Sequence, residues 1–78
     1  MLQRLIEILY ELDYVDVDPN IALRDYVSSL DIIELICTIE EIYSISIPED
    51  DTHYFGDSLV NIENYLTQQV YKNETKKN

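Results

Sequence analysis

Basic residues are scarce in this chain. Five of the 78 residues are Lys or Arg, against 16 Asp and Glu, which gives a formal net charge of −11. Three of the five lie in the last seven positions, so through Tyr71 the chain carries 15 acidic residues and two basic ones. Such a negative surface repels nucleic acid and anionic lipid and attracts proteins with basic patches. We therefore expect protein partners, and neither nucleic acid nor a membrane.

Cysteine and long apolar runs are also nearly absent. The single cysteine, Cys37, excludes an internal disulfide framework and favours a reducing compartment. No apolar stretch approaches the length of a membrane span, and Glu7 and Glu11 interrupt the first apolar run, which does not resemble a signal peptide. A chain this short forms one domain with little room for an enclosed active site. We expect a cytoplasmic protein that is not an enzyme.

Hydrophobic periodicity predicts two helices in the first half of the chain. Apolar residues recur at helical spacing in residues 2–12 and, more strongly, in residues 29–43. Between them, residues 14–27 break the pattern with turn-forming residues such as Pro19 and Asn20. They predict a long loop. Its expected contacts with the core are the apolar residues Ile21, Leu23 and Tyr26.

Two further signals complete a predicted bundle. Residues 45–47 alternate in polarity but have no strand to pair with, so they predict an extended link. Pro48 and the acids after it predict a short third helix ending at Gly56, and Asp57 or Ser58 then caps a last helix. The predicted fold is a small all-α, four-helix bundle with three main helices, one short third helix and a long loop between the first two. We expect a monomeric domain over residues 1–71 and a polar, disordered tail over residues 72–78.

Two serines, Ser28 and Ser29, precede the strongest predicted helix. A serine at a helix start is usually an N-cap whose oxygen accepts a backbone N–H, and capping alone would explain either one. The helix behind them, however, carries a second apolar line outside its core stripe, which is interleaved with acids and comprises Leu30, Ile33 and Cys37. Either this line packs under the long loop, or it is a docking surface whose charges steer a partner. The predicted recognition face comprises Ser28, Leu30, Asp31, Ile33, Glu34, Cys37, Glu40 and Glu41.

The segment SSLDIIELICTIEEIYSISIPED resembles the acyl carrier protein family. In that family a D-S-L-D-x-V-E-L pattern leads into a Glu-rich helix that closes with I-x-I-P-D/E. The resemblance covers nearly the whole chain, because the predicted helices and the long loop come in the family's order. It implies a stand-alone carrier in which Ser29 bears a covalent 4′-phosphopantetheine arm, attached from coenzyme A by a separate, Mg²⁺-dependent phosphopantetheinyl transferase. A phosphodiester there would meet the exposed N–H groups and the positive dipole of a helix start.

The implied function is the delivery of acyl intermediates. The arm would hold them as thioesters and present them to fatty-acid, polyketide or related biosynthetic enzymes that carry basic patches. The chain itself would need neither catalytic residues nor a metal, because the transferase supplies both. The residues alone leave one alternative, which is an acidic, helical protein-interaction module that is not modified.

The sequence departs from the family pattern just before the serine. Ser28 stands where Asp is usual, residues 25–27 contain no glycine, and the loop is one residue shorter than the common pattern. These departures favour a specialised carrier and leave Ser28 as a second candidate for modification. Ser29 is the better candidate, since Leu30 and Asp31 follow it directly.

A second serine lies in the sequence GDSL at residues 56–59, which is also the name of a hydrolase family. That family needs a full α/β domain, and the one histidine of this chain, His53, lies upstream. Ser58 also lacks a Glu-rich helix and an I-x-I-P segment behind it, so we expect it to be a helix cap. His53, beside Asp50 and Asp51, is expected to be a solvated surface residue, because structural zinc requires four ligands.

Overall fold

The computed structural model describes the backbone of residues 1–76 and the side chains of residues 1–71. The described residues form helices and connecting loops and contain no strand, so the predicted small all-α bundle is confirmed. The three α-helices are α1 (Leu2–Glu11), α2 (Ser29–Tyr43) and α3 (Leu59–Lys76). Two 3-10 helices connect them, Leu23–Asp25 within the long loop and Glu49–Gly56 between α2 and α3.

Helical spacing explains the apolar core. Each α-helix buries residues four positions apart, which places them on one face of the helix. The second 3-10 helix contributes Phe55, whose ring meets that of Tyr65 edge-on at a centroid distance of 5.7 Å. The fully buried side chains are Leu5, Leu9, Leu23, Leu35, Ile39, Phe55, Leu59, Ile62 and Leu66.

The long loop is attached to the core by Leu23 and Val27, which are both buried. The expectation for Leu23 is confirmed, but those for Ile21 and Tyr26 are wrong, since these side chains are 46% and 38% exposed. The 3-10 helix begins at Leu23, and the turn that follows it is closed by the Val27 N–H, which donates to the Leu23 carbonyl at 2.7 Å. Tyr14 and Val17 of the loop are half-buried and also pack against the core, so the loop is anchored at other apolar positions than the sequence suggested.

The link after α2 is extended, as its sequence predicted. Ser44 ends the helix in the left-handed conformation, with φ of 52°, and its N–H donates to the Glu40 carbonyl. Ile45 and Ile47 are then buried against the bundle. The short third helix that follows is a 3-10 helix, which is the usual form for a short helical connector.

The backbone of α3 is helical to Lys76, beyond the predicted domain boundary at residue 71. Residues 77–78 of the predicted disordered tail lie outside the described residues, and the boundary itself stays a prediction.

Among the described residues, no helix combines the length and apolar character needed to cross a bilayer. One ion pair is present in this part of the chain, an exposed contact of 3.3 Å between Arg4 and Glu7.

Candidate functional site

The start of α2 separates the roles of its two serines. Ser28 is the N-cap, with an extended backbone and a side-chain oxygen that accepts the Asp31 N–H at 3.2 Å. Ser29 is the first helical residue, and its exposed hydroxyl forms no hydrogen bond within the described residues. Capping by Ser28 therefore leaves the Ser29 hydroxyl available to solvent.

Two backbone donors lie beside that hydroxyl. The first hydrogen bond of α2 runs from the Ile32 N–H to the Ser28 carbonyl at 3.0 Å. The N–H groups of Ser29 and Leu30 have no acceptor in the described part of the chain. Free N–H groups and the positive end of the helix dipole favour a negatively charged group at this position.

Tyr14, in the long loop, is a site residue that the sequence did not reveal. Its hydroxyl donates to Asp31 Oδ2 at 2.5 Å and accepts the Ser28 N–H at 3.3 Å. The Tyr26 ring packs edge-on against the Tyr14 ring at a centroid distance of 6.4 Å. Seventeen positions separate Tyr14 from Asp31, so no local pattern predicts the contact. The loop is thereby attached directly to the helix start that presents Ser29.

The recognition face is largely exposed, as predicted. Leu30 and Ile33 are 78% and 55% exposed, and Cys37 is also exposed. The alternative that Ile33 and Cys37 pack under the long loop is therefore wrong. Glu34 and Glu41 are exposed and lie near these apolar residues, since the spacing places them on the same side of the helix. The face extends along α2 from the turn that carries Ser29.

Glu40 differs from the other acids of the recognition face. It is half-buried, and its Oε2 accepts the Ile47 N–H at 2.8 Å. The carboxylate thus holds the extended link against the end of α2. One of its oxygens is committed to the fold, whereas Glu41 makes no hydrogen bond or ion pair among the described residues.

Ser58 is enclosed at the start of α3. Its side chain is buried, with 7% of the residue exposed, and its oxygen accepts the Asn61 N–H at 3.3 Å. Asp57 accepts the Ser58 N–H at 2.7 Å and the Asn61 amide at 3.1 Å, and these bonds lower the pKa of the Asp57 carboxyl. The structure thus gives Ser58 the expected capping role.

His53 takes part in an aromatic stack. Its ring lies 4.2 Å from the Tyr54 ring, which stacks on Tyr65 at 5.1 Å. The Tyr65 hydroxyl donates to Asp51 Oδ2 at 2.7 Å, and burial together with this bond raises the pKa of Tyr65. No group of three His, Cys, Asp or Glu side chains within the described residues could hold a metal ion.

The structure thus gathers Tyr14, Ser28, Ser29 and Asp31 at one end of α2, with the recognition face continuing along the helix. It does not bring Ser58 into this site, because Ser58 caps a different helix. No protein-family model, curated protein or solved structure matches the chain. Its function is therefore inferred from its own residues.

Proposed function

We propose that this protein is a stand-alone acyl carrier protein and that Ser29 carries a 4′-phosphopantetheine arm. The observation that supports this most directly is the exposed, unbonded Ser29 hydroxyl in the first turn of α2. A modifying enzyme can reach that hydroxyl without breaking an internal hydrogen bond. Leu30 and Asp31, which follow it, are the residues that the family pattern expects after a modified serine.

The proposed modification is a phosphoryl transfer in which this chain supplies the nucleophile. The Ser29 oxygen forms a bond to the phosphorus of coenzyme A that bears pantetheine, and the phosphoanhydride bond breaks. Adenosine 3′,5′-bisphosphate leaves, and the serine proton passes to a base of the transferase. The backbone N–H groups of Ser29 and Leu30 are the groups of this chain that would hold the phosphodiester. When bound, the group supplies the thiol that carries an acyl chain as a thioester.

The recognition face supports the proposed exchange with partner enzymes. The carboxylates of Glu34 and Glu41 lie beside the exposed apolar side chains of Leu30 and Ile33. A partner with a basic patch would be steered by the charges and held by the apolar contact. Exposed charges are screened by salt, so we expect binding to be weak and to weaken further as ionic strength rises. The expected partners are the transferase and acyl-transferring or chain-building enzymes of the cytoplasm.

A second candidate is an unmodified protein-interaction module. The same exposed Leu30 and Ile33 favour it, because an apolar patch ringed by acids can bind a basic partner without a prosthetic group. The two candidates differ at Ser29. The carrier requires its hydroxyl, whereas the interaction module does not, since the cap of α2 is provided by Ser28.

Intact mass spectrometry tests the proposal. The protein is incubated with coenzyme A, Mg²⁺ and a broad-specificity phosphopantetheinyl transferase, beside the variants Ser28→Ala, Ser29→Ala and Ser58→Ala. We expect the mass to increase by one phosphopantetheine group. This increment should be lost in Ser29→Ala and retained in Ser58→Ala, because Ser58 is buried. Circular dichroism confirms that each variant is folded. A phosphopantetheine increment that survives in Ser29→Ala would mean that the arm is attached to another residue, whereas no increment with any of several transferases would favour the interaction module.

A further inference from the structure

The start of α2 contains half of a capping box. In a complete capping box the N-cap serine accepts the N–H of the third helical residue, and a Glu or Gln at that third position accepts the N-cap N–H in return. Ser28 and Asp31 form the first of these bonds, at 3.2 Å. Asp31 is one methylene shorter than Glu, and the Ser28 N–H donates instead to the Tyr14 hydroxyl.

Tyr14 completes the box from outside the helix. Its hydroxyl accepts the Ser28 N–H at 3.3 Å and donates to Asp31 Oδ2 at 2.5 Å, so it connects the two groups that a glutamate would join directly. We call this arrangement of Tyr14, Ser28 and Asp31 the tyrosine relay. The Tyr26 ring, edge-on against Tyr14, helps to hold the relay in place.

We propose that Tyr14 is a positioning residue that determines which of two adjacent serines is presented for modification. The inference rests on the proposed carrier function and adds a selectivity device to the same site. Ser28 and Ser29 are equally good N-cap residues by type, so side-chain chemistry alone does not choose between them. The tyrosine relay is what distinguishes them, because it binds the N–H of Ser28 and not that of Ser29.

The competing arrangement is a helix that begins one residue later. Ser29 would then be the N-cap, its oxygen would accept the Ile32 N–H, and the Ser28 hydroxyl would be free. In that register Asp31 would stand at the second helical position, where it cannot complete a box with the cap. The tyrosine relay stabilises the observed register by satisfying the Ser28 N–H and the Asp31 carboxylate together. Loss of the Tyr14 hydroxyl should bring the two registers closer in free energy.

Three variants test the relay. Tyr14→Phe removes the bridging hydroxyl and keeps the ring. Tyr65→Phe is the matched control, because it removes a hydroxyl that also donates to an aspartate, at 2.7 Å, but at Asp51. Tyr14→Phe combined with Asp31→Glu is the rescue variant. The longer side chain introduced by Asp31→Glu allows the carboxylate to accept the Ser28 N–H directly, as in an ordinary capping box.

The first measurement is hydrogen exchange at the Ser28 amide by NMR, which needs no prosthetic group. We expect exchange to be about five-fold faster in Tyr14→Phe, in line with the loss of one hydrogen bond. It should be unchanged in Tyr65→Phe and restored in the rescue variant. Exchange in Tyr14→Phe that equals wild type would overturn the relay.

The second measurement is the rate and position of phosphopantetheine attachment, followed by peptide mass spectrometry. We expect the ratio of Ser28 to Ser29 modification to rise about five-fold in Tyr14→Phe relative to Tyr65→Phe, in line with the loss of one hydrogen bond that favours the observed register. Modification of Ser29 should slow as the other register becomes populated, and Asp31→Glu should reverse both effects. Equal rates and positions in the two tyrosine variants would overturn the selectivity role. If the wild-type protein were not modified, the proposed function and this role would both fail, while amide exchange would still test the relay.

Discussion

Replacing Glu40 by alanine should destabilise the fold, although Glu40 belongs to the face predicted to contact partners. Its carboxylate accepts the Ile47 N–H at 2.8 Å in a half-buried position. Alanine would leave that N–H without its acceptor and release the extended link from α2. Glu41 provides a matched control, since it is the same residue type one position later but exposed.

The expected loss of stability in Glu40→Ala follows from the type of hydrogen bond that is removed. A hydrogen bond to a charged group contributes about 1.5–3 kcal/mol, and partial burial places this one near about 2 kcal/mol. For a domain of this size, each kcal/mol corresponds to about 4–8 °C in Tm, so Glu40→Ala should lower Tm by about 8–16 °C. Glu41→Ala should change stability by less than about 0.5 kcal/mol. Both variants remove one negative charge, so the change in net charge cancels in the comparison.

Thermal and urea unfolding of the two variants, followed by circular dichroism, measures this difference. Glu40→Gln is the informative third variant, because its amide oxygen can still accept the Ile47 N–H and should retain most of the stability. If Glu40→Ala were no less stable than Glu41→Ala, the hydrogen bond would contribute nothing to the fold. Glu40 would then be available to partners in the same way as Glu41.

Two further predictions concern the core and the response to acid. Leu35→Ala, at a fully buried position, should cost about 2–5 kcal/mol, whereas Leu30→Ala should leave the urea midpoint nearly unchanged and weaken partner binding. The hydrogen bonds of Asp57 favour its charged form in the folded state, so their contribution is full above about pH 4 and is lost as pH falls through the lowered pKa. Asp57→Asn should therefore lose less stability than wild type on acidification, which urea titrations at a series of pH values will show.

Local pattern was sufficient to predict the helices and the exposed face. The apolar spacing in residues 29–43 predicted α2 with the bounds that it has, because burial of one stripe decides where such a helix forms. The same spacing left Leu30 and Ile33 outside that stripe, and both are exposed. These features depend on residues close together in sequence, so they can be predicted from the local sequence pattern.

The details of the site depend on contacts that no local pattern encodes. Tyr14 reaches Ser28 and Asp31 only because of the path that the long loop follows. The charge and position of Glu40 place it with its neighbours in the predicted recognition face, but its bond to Ile47 depends on how the chain turns after α2. Whether Ser28 or Ser29 is the N-cap depends on a shift of one residue in the start of the helix. Both are serines, so N-cap preferences by residue type do not decide between them.

The near absence of ion pairs among the described residues would link folding to the proposed partner binding. Within the described residues the contact between Arg4 and Glu7 is the one ion pair present, so most carboxylates of this chain, with its net charge of −11, have no compensating cation. Their mutual repulsion opposes the compact state. A basic partner would act as a counter-ion for the whole domain and stabilise it by mass action. Added salt should therefore have opposite effects on the two equilibria, strengthening the isolated fold while weakening the complex.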